Sequence, residues 1–226
     1  MIDDTVLLVP AFNEGVVVGQ YLGLARKQFR WIVCVDDGSD DDTSQQARDA
    51  GAIVLRHPVN IGQGAAIQTA IEYALRLPVQ WFCTFDADGQ HRLEDVETMR
   101  EIAINTSFDV VLGSRFLGDA TGMPLIKRLM LKAAVWFANL TSGVKLTDAH
   151  NGLRLFNRHV AQTIDLQEPE FNHASEFIDK IKTNHYTYTE APVTIEYSAY
   201  SKAKGQSMLN AVNIATDTLT AKVINR

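Results

Sequence analysis

The chain has 226 residues, 46% of them hydrophobic and 21% charged, enough for one well-buried α/β domain or a domain with an appended lobe. Its formal net charge of -6 argues against a dedicated nucleic-acid binder, whose footprint would be a basic face. Met1-Ile-Asp-Asp4 is acidic where a signal peptide would be basic, and no apolar stretch reaches the ~18 residues that span a bilayer. A cytoplasmic protein, at most peripheral on the inner face of the cell membrane, is expected.

In chain order, Thr5-Val-Leu-Leu-Val9 is a short apolar run ended by Pro10 and reads as a buried strand. Helical spacing of Val17, Val18, Tyr21, Leu22 and Ala25 predicts a helix from about 15 to 28. A strand over 31–35, a capped helix over 43–50, a strand over 52–55 and a helix over 63–77 follow. Then come a strand over 81–85, a helix over 93–104 and a strand over 108–112. Cys34 and Cys83 sit in two of these apolar strands and read as buried reduced thiols. Beyond about residue 118 the rhythm loosens. A helix over 124–141, a strand over 152–156, helices near Val160 and Ser175, a strand over 188–195 and a C-terminal helix from Gln206 are expected. Strands alternating with helices at this spacing predict a single α/β domain, 1–226, with a mostly parallel central sheet covered on both faces.

In such sheets ligands bind beyond the carboxyl ends of the strands, and those ends carry the unusual residues. The first strand runs into Pro10-Ala-Phe-Asn-Glu14. The second runs into Asp36-Asp-Gly-Ser-Asp-Asp-Asp42, five aspartates in seven positions. The strand at 81–85 ends in Asp86-Ala-Asp-Gly-Gln-His91, and the one at 108–112 in Gly113-Ser-Arg-Phe116. Asp, Gly and Ser are also ordinary turn and cap residues, but four such endings at one sheet edge point to a site. Asp86 and Asp88 offer two hard oxygen ligands, suited to Mg²⁺ or Mn²⁺ held together with substrate phosphates. Gln90 and His91 could add a ligand or a supporting contact. Gly62 and Gly64 permit close backbone approach, and a helix starting near Gln63 would offer free N–H groups to an anion.

Together these motifs resemble the inverting family 2 glycosyltransferases with a GT-A (Rossmann-like) fold, and most nearly the branch that includes dolichyl-phosphate mannosyltransferases and other polyprenyl-phosphate sugar transferases. The resemblance is close over about 5–156 and looser beyond. It implies a nucleotide-sugar half over about 1–117 and an acceptor-side half over about 118–226. By resemblance, Pro10, Ala11, Asn13 and Glu14 line the nucleotide pocket and Asp37 contacts the base or ribose. Asn60, Gly62 and Gly64 close that pocket. Asp86 and Asp88 bind the metal, with Ala87 between them against the donor and Gln90 a possible third ligand. On the acceptor side, Arg115 matches the family's Gly-Ser-Arg arginine. Lys127 and Arg128 match a basic pair, and Asp148-Ala-His-Asn-Gly-Leu-Arg154 matches an Asp-x-x-x-Gly-x-Arg segment. Lys202 and Lys204 stand in a basic loop whose better-known form carries arginine, a departure that weakens the lipid-phosphate branch because lysine lacks the bidentate fork.

The implied reaction is transfer of a hexose, with inversion, from a UDP- or GDP-type donor. The leading acceptor is a polyprenyl phosphate of dolichyl or undecaprenyl type. The alternatives are a sugar hydroxyl in polysaccharide or glycolipid synthesis, and a silent nucleotide-sugar-binding scaffold. A hydroxyl acceptor needs a general base. Asp148 is the first candidate, with His150 and Glu176 behind it, and pairing with Arg154 or a helix cap is the structural alternative for Asp148. Leu125–Phe137 mixes bulky apolar residues with Lys127, Arg128 and Lys132. It suits a helix against anionic lipid as well as one packed on the core. Contact with a membrane, with a membrane partner protein or with a second copy stays open at this point.

Overall fold

The computed structural model describes residues 1–196 apart from Ala87, Gly122, Pro124, His150 and Phe171. The expected helix from Gln206 and the loop carrying Lys202 and Lys204 lie outside the described residues. The elements are β1 (Ile2–Ala11), α1 (Val18–Gln28), β2 (Phe29–Asp36), α2 (Thr43–Asp49), β3 (Ile53–Arg56), α3 (Gln63–Ala74) and β4 (Trp81–Thr84). They continue as α4 (Leu93–Thr106), β5 (Val110–Thr121), α5 (Leu125–Ser142), β6 (Arg154–Asn157), α6 (Arg158–Thr163), α7 (His173–Thr183) and β7 (Tyr188–Glu196).

The strands form one seven-stranded sheet in the order β3-β2-β1-β4-β6-β5-β7. All pairings are parallel except those of β6, which runs antiparallel to both β4 and β5. The sheet therefore runs unbroken from the N-terminal half into the C-terminal half, with β6 wedged between β4 and β5. The two-residue period of the strands sorts their side chains onto opposite faces. Val6, Leu8, Val33, Val35 and Phe82 pack with α3, α6 and α7 on one side. Leu7, Val9, Cys34 and Cys83 pack with α1 and α4 on the other. Phe82 stacks on Phe156 at 5.9 Å, and Phe156 meets Phe177 of α7 at 5.6 Å. The two thiols are buried and unlinked, as expected. Burial pushes Cys34 up to about 12, so it is inert as a nucleophile at neutral pH.

One element differs in a way that matters for the site. The strand expected over 108–112 extends to Thr121, so Gly113-Ser-Arg-Phe116 lies within β5 rather than in a loop after it. Pairing with β7 breaks register between Ser114 and Asp119 and resumes at Asp119–Thr194. Polar residues across this break hide the strand from a hydrophobicity pattern. Gly118 makes the close approach possible, since a Cβ there would stand 2.3 Å from the Val193 carbonyl oxygen.

Candidate active site

The carboxyl ends of β1, β2 and β3 are laced together. Asn13, in the left-handed region at φ 52°, donates its N–H to Ser39 Oγ at 2.8 Å, and its Oδ1 accepts from Asp40 N at 3.0 Å. Glu14 N donates to Thr43 Oγ1 at 2.8 Å and Gly15 N to Asp41 Oδ2 at 3.0 Å. Asp36 is fully buried and accepts from Ser39 N at 2.9 Å and from Ser44 Oγ. Much of the aspartate cluster therefore builds the loop. Pro10 and Ala11 lie buried at the end of β1, while Asn60 is exposed.

Asp37, 3% exposed, turns inward. It accepts from His57 Nδ1 at 2.6 Å, from Ile61 N at 3.0 Å and from Gly62 N at 2.7 Å. The amides at the start of α3 are not free as expected. Gly64 N donates to the Pro169 carbonyl at 2.7 Å and Ala65 N to the same oxygen at 3.4 Å. A Cβ on Gly62 would meet Pro169 O at 2.3 Å, and one on Gly64 would meet Glu168 O at 2.1 Å. The close backbone approach that these glycines allow is made here by the 168–170 loop. That loop is held in turn by Glu176, whose carboxylate accepts from Gln167 N and Glu168 N. Glu176, one of the candidate bases, is thus engaged as a loop cap.

Asp86 and Asp88 follow β4 on a turn that Gly89 forms at φ 74°, with Tyr21 filling the space a Cβ would need. Asp86 accepts from Gln63 Nε2 and from His91 Nε2, both at 3.0 Å. Burial raises its carboxyl, but the His91 hydrogen bond, with the charges of His91, His173 and Arg154, outweighs that and holds it below the ordinary range. Asp88 goes the other way. Burial, and after it the Asp86 charge, push its carboxyl up, while Gln90 N donates to it at 3.1 Å and Gln90 Nε2 donates as well. Two carboxylates that repel in this way favour a cation, so the pair fits Mg²⁺ or Mn²⁺. To join them as a ligand, Gln90 must present Oε1 where its amide nitrogen now faces Asp88. Among the described residues no group of three or more His, Cys, Asp or Glu is placed to hold a metal ion.

Behind Asp86 lies a small cavity of ≈ 10 Å³, room for about one water, lined by Gln63, Thr84, Asp86, Gly152, Arg154 and His173 among others. Arg154 is 4% exposed. Its guanidinium rests 4.9 Å from the Phe177 ring centre and donates to the Asn151 carbonyl at 3.3 Å. Burial lowers it to about 10 against the opposing pull of Asp86 and Asp148. Asp148 is also hydrogen-bonded to Arg115: Arg115 Nε donates to Asp148 Oδ2 at 2.6 Å and Arg115 N to the same oxygen at 3.1 Å. Their side chains are 9% and 1% exposed. Arg128 is exposed on α5. Lys127 belongs to the same helix, and neither is brought to Asp86 by any contact described. Ala87 and His150 lie outside the described residues.

His57 and His173 carry no motif that marks them in the sequence, whereas His91 stands in the Asp86–His91 segment as a possible ligand or supporting contact. His57, His91 and His173 each sit against a site carboxylate or the cavity, and His57 and His91 close strand ends whose other residues were singled out. Nδ1 of His173 donates to the Glu170 carbonyl at 2.7 Å. Burial, with the Arg154 charge, pushes the ring down to about 4. A histidine depressed in the fold stabilises above its unfolded value near 6.5 and loses that contribution as pH falls towards 4. We expect up to about 3 kcal/mol of stability to disappear over that interval. Urea unfolding should show a shallower loss for His173→Gln, and an equal loss would assign the acid sensitivity elsewhere.

An open α/β sheet of this strand order, with an Asp-x-Asp pair at the carboxyl end of β4, is the GT-A class of glycosyltransferase fold. The glucosyl-3-phosphoglycerate synthase of Mycobacterium tuberculosis, solved with Mn²⁺ and UDP-glucose, superposes with a TM-score of 0.71 over 96% of this chain and 77% of its own, at 14% identity. The model of Glycosyl transferase family 2 matches residues 6–164, and the chain belongs to that family. It is 35% identical to an uncharacterized protein of Methanocaldococcus jannaschii over 98% of this chain and 93% of that one. It is 28% identical to the UDP-N-acetylglucosamine–dolichyl-phosphate N-acetylglucosaminyltransferase of Methanococcus voltae over 90% of each. The protein is therefore a glycosyltransferase related to enzymes of the polyprenyl-phosphate branch.

Proposed function

We propose that the protein transfers a hexose, with inversion, from a nucleoside-diphosphate sugar to a polyprenyl phosphate, and that Mg²⁺ or Mn²⁺ is required. The observation that carries the metal and donor reading is the Asp86–Asp88 pair, in which burial and the Asp86 charge push Asp88 up. A divalent ion bound there supplies positive charge to the diphosphate leaving group. Asp86 and Asp88 would hold it, with Gln63 and His91 fixing the Asp86 carboxylate. Asn13, Glu14 and the Asp37-braced turn at 60–62 form the wall against which the nucleotide binds.

The acceptor reading rests on the bases. Asp148 is locked to Arg115 and Glu176 to backbone amides, so two of the three candidates for deprotonating a hydroxyl are engaged internally. A phosphate is already anionic at neutral pH and needs orientation instead. The dolichyl-phosphate acceptor named for the Methanococcus voltae relative supports the same choice. Arg154 supplies buried positive charge behind the metal pair, and Arg128 and Lys132 lie exposed on α5, where cations would attract an anionic surface. Among the described residues no helix is long and apolar enough to cross a membrane.

The test is a thermal-shift panel of UDP, GDP, CDP and dTDP, each with and without Mn²⁺ or Mg²⁺. A ligand selective for the native state raises the melting temperature by mass action. We expect one nucleotide to shift it by several degrees only with metal, at roughly 2–4 °C per kcal/mol for a chain of this size. Absence of any shift would remove the donor site and bring forward the scaffold reading.

A further inference from the structure

We propose that His57 is a positioning residue for the donor pocket. By donating to Asp37 it aims that carboxylate at the Ile61 and Gly62 amides, and so sets the turn against which the nucleotide binds. The binding half of this statement rests on the donor site proposed above.

The geometry is a hub of three strand ends and one helix. His57 lies one residue past β3, and its own N–H donates to the Asp36 carbonyl at 2.9 Å. A carboxylate only accepts, so Nδ1 carries the hydrogen that meets Asp37 Oδ1 at 2.6 Å. The other ring nitrogen, Nε2, meets Thr69 Oγ1 of α3 at 3.0 Å, a hydroxyl that can donate or accept. With both nitrogens partnered and only 9% of the residue exposed, the ring has one orientation. Asp37 Oδ1 and Oδ2 also accept from Ile61 N at 3.0 and 3.2 Å, and Oδ2 accepts from Gly62 N at 2.7 Å.

That turn needs bracing. Gly62 stands at φ 118°, and as the N-cap of α3 it has no side chain with which to cap the helix. Asp37 supplies the acceptor from outside and places negative charge at the positive end of α3. The 37–38 and 59–60 segments are in contact, for a Cβ on Gly38 would stand 2.5 Å from the Val59 carbonyl carbon. Loss of the His57 donor leaves a buried carboxylate short of one charge-assisted bond and free to turn away from the amides.

Two substitutions separate this role from bulk packing. Asparagine at 57 places an amide N–H close to where Nδ1 stands, whereas glutamine reaches towards Thr69 and leaves Asp37 without its donor. In nucleotide-free protein, hydrogen exchange at the Ile61 and Gly62 amides should accelerate about tenfold or more in His57→Gln and stay within about threefold of the parent in His57→Asn. Calorimetry with UDP and GDP in Mn²⁺, together with steady-state kinetics, should show donor affinity weakened about tenfold in His57→Gln. Turnover should stay within about twofold, the signature of lost ground-state binding. Parent-like exchange in His57→Gln, or equal damage in both variants, would overturn the positioning role. If the parent itself binds no nucleotide, the donor site falls and with it the binding half of the proposal, while the exchange result still decides the brace.

Discussion

Asp88→Asn should reduce transfer by roughly a thousandfold, the several kcal/mol that a cation contributes to a developing diphosphate charge, while the ligand-free protein melts at a higher temperature than the parent. The two halves share one cause. Burial and the Asp86 charge raise the Asp88 carboxyl above its ordinary 3.8, so the folded state binds that proton more tightly than the unfolded chain does. Stability is then lost as pH rises through the folded value. Asparagine removes the charge, keeps the shape and retains an oxygen for Gln90 N. Calorimetric melting at pH 7 and initial rates at saturating metal check both halves. A variant that turns over normally would take the acidic pair out of the mechanism. One that melts lower would mean that Asp88 serves the fold.

The second large effect concerns Asp148. Both partners of the Arg115–Asp148 pair are nearly inaccessible, and removing one takes a short charge-assisted hydrogen bond and the opposing charge at its end away from the other. Asp148→Ala should cost about 3–5 kcal/mol, a fall on the order of 10 °C in melting temperature for a chain of this length. Combining Asp148→Leu with Arg115→Met should recover much of the loss, because apolar replacement of a buried pair is often close to neutral. A double-mutant cycle on melting measures the coupling directly. Independent, additive losses would mean that Arg115 and Asp148 act separately, and would return Asp148 to consideration as a catalytic base.

These expectations mark where sequence reading stopped. The strand endings at Asp37, Asp86 and Asp88 were legible because polar and glycine residues interrupt apolar runs at regular intervals, and a parallel α/β sheet collects such interruptions on one edge; the same signal at Arg115 falls inside β5. The resemblance drawn from the same residues holds: the chain is a family 2 member with a GT-A sheet. What each carboxylate does was not legible. Asp36, Asp37, Asp86 and Asp88 are the same chemical group, yet one is tied to Ser39 and Ser44, one to a turn and two to a repelling pair. The difference comes from neighbours distant in sequence, such as His57 for Asp37 and Arg115 for Asp148.

The same division holds for the chain as a whole. The sequence by itself determined the alternation of strands and helices, the burial of Cys34 and Cys83, and the family, since these follow from local periodicity and short motifs. Only the tertiary structure decided that β6 enters antiparallel between β4 and β5, that β5 continues past its polar break to Thr121, and that Pro169 occupies the amides at the start of α3. Each of these depends on a contact between segments far apart in the chain. A backbone N–H or C=O must find a partner once water is excluded, but nothing in the residue itself says which segment will provide it.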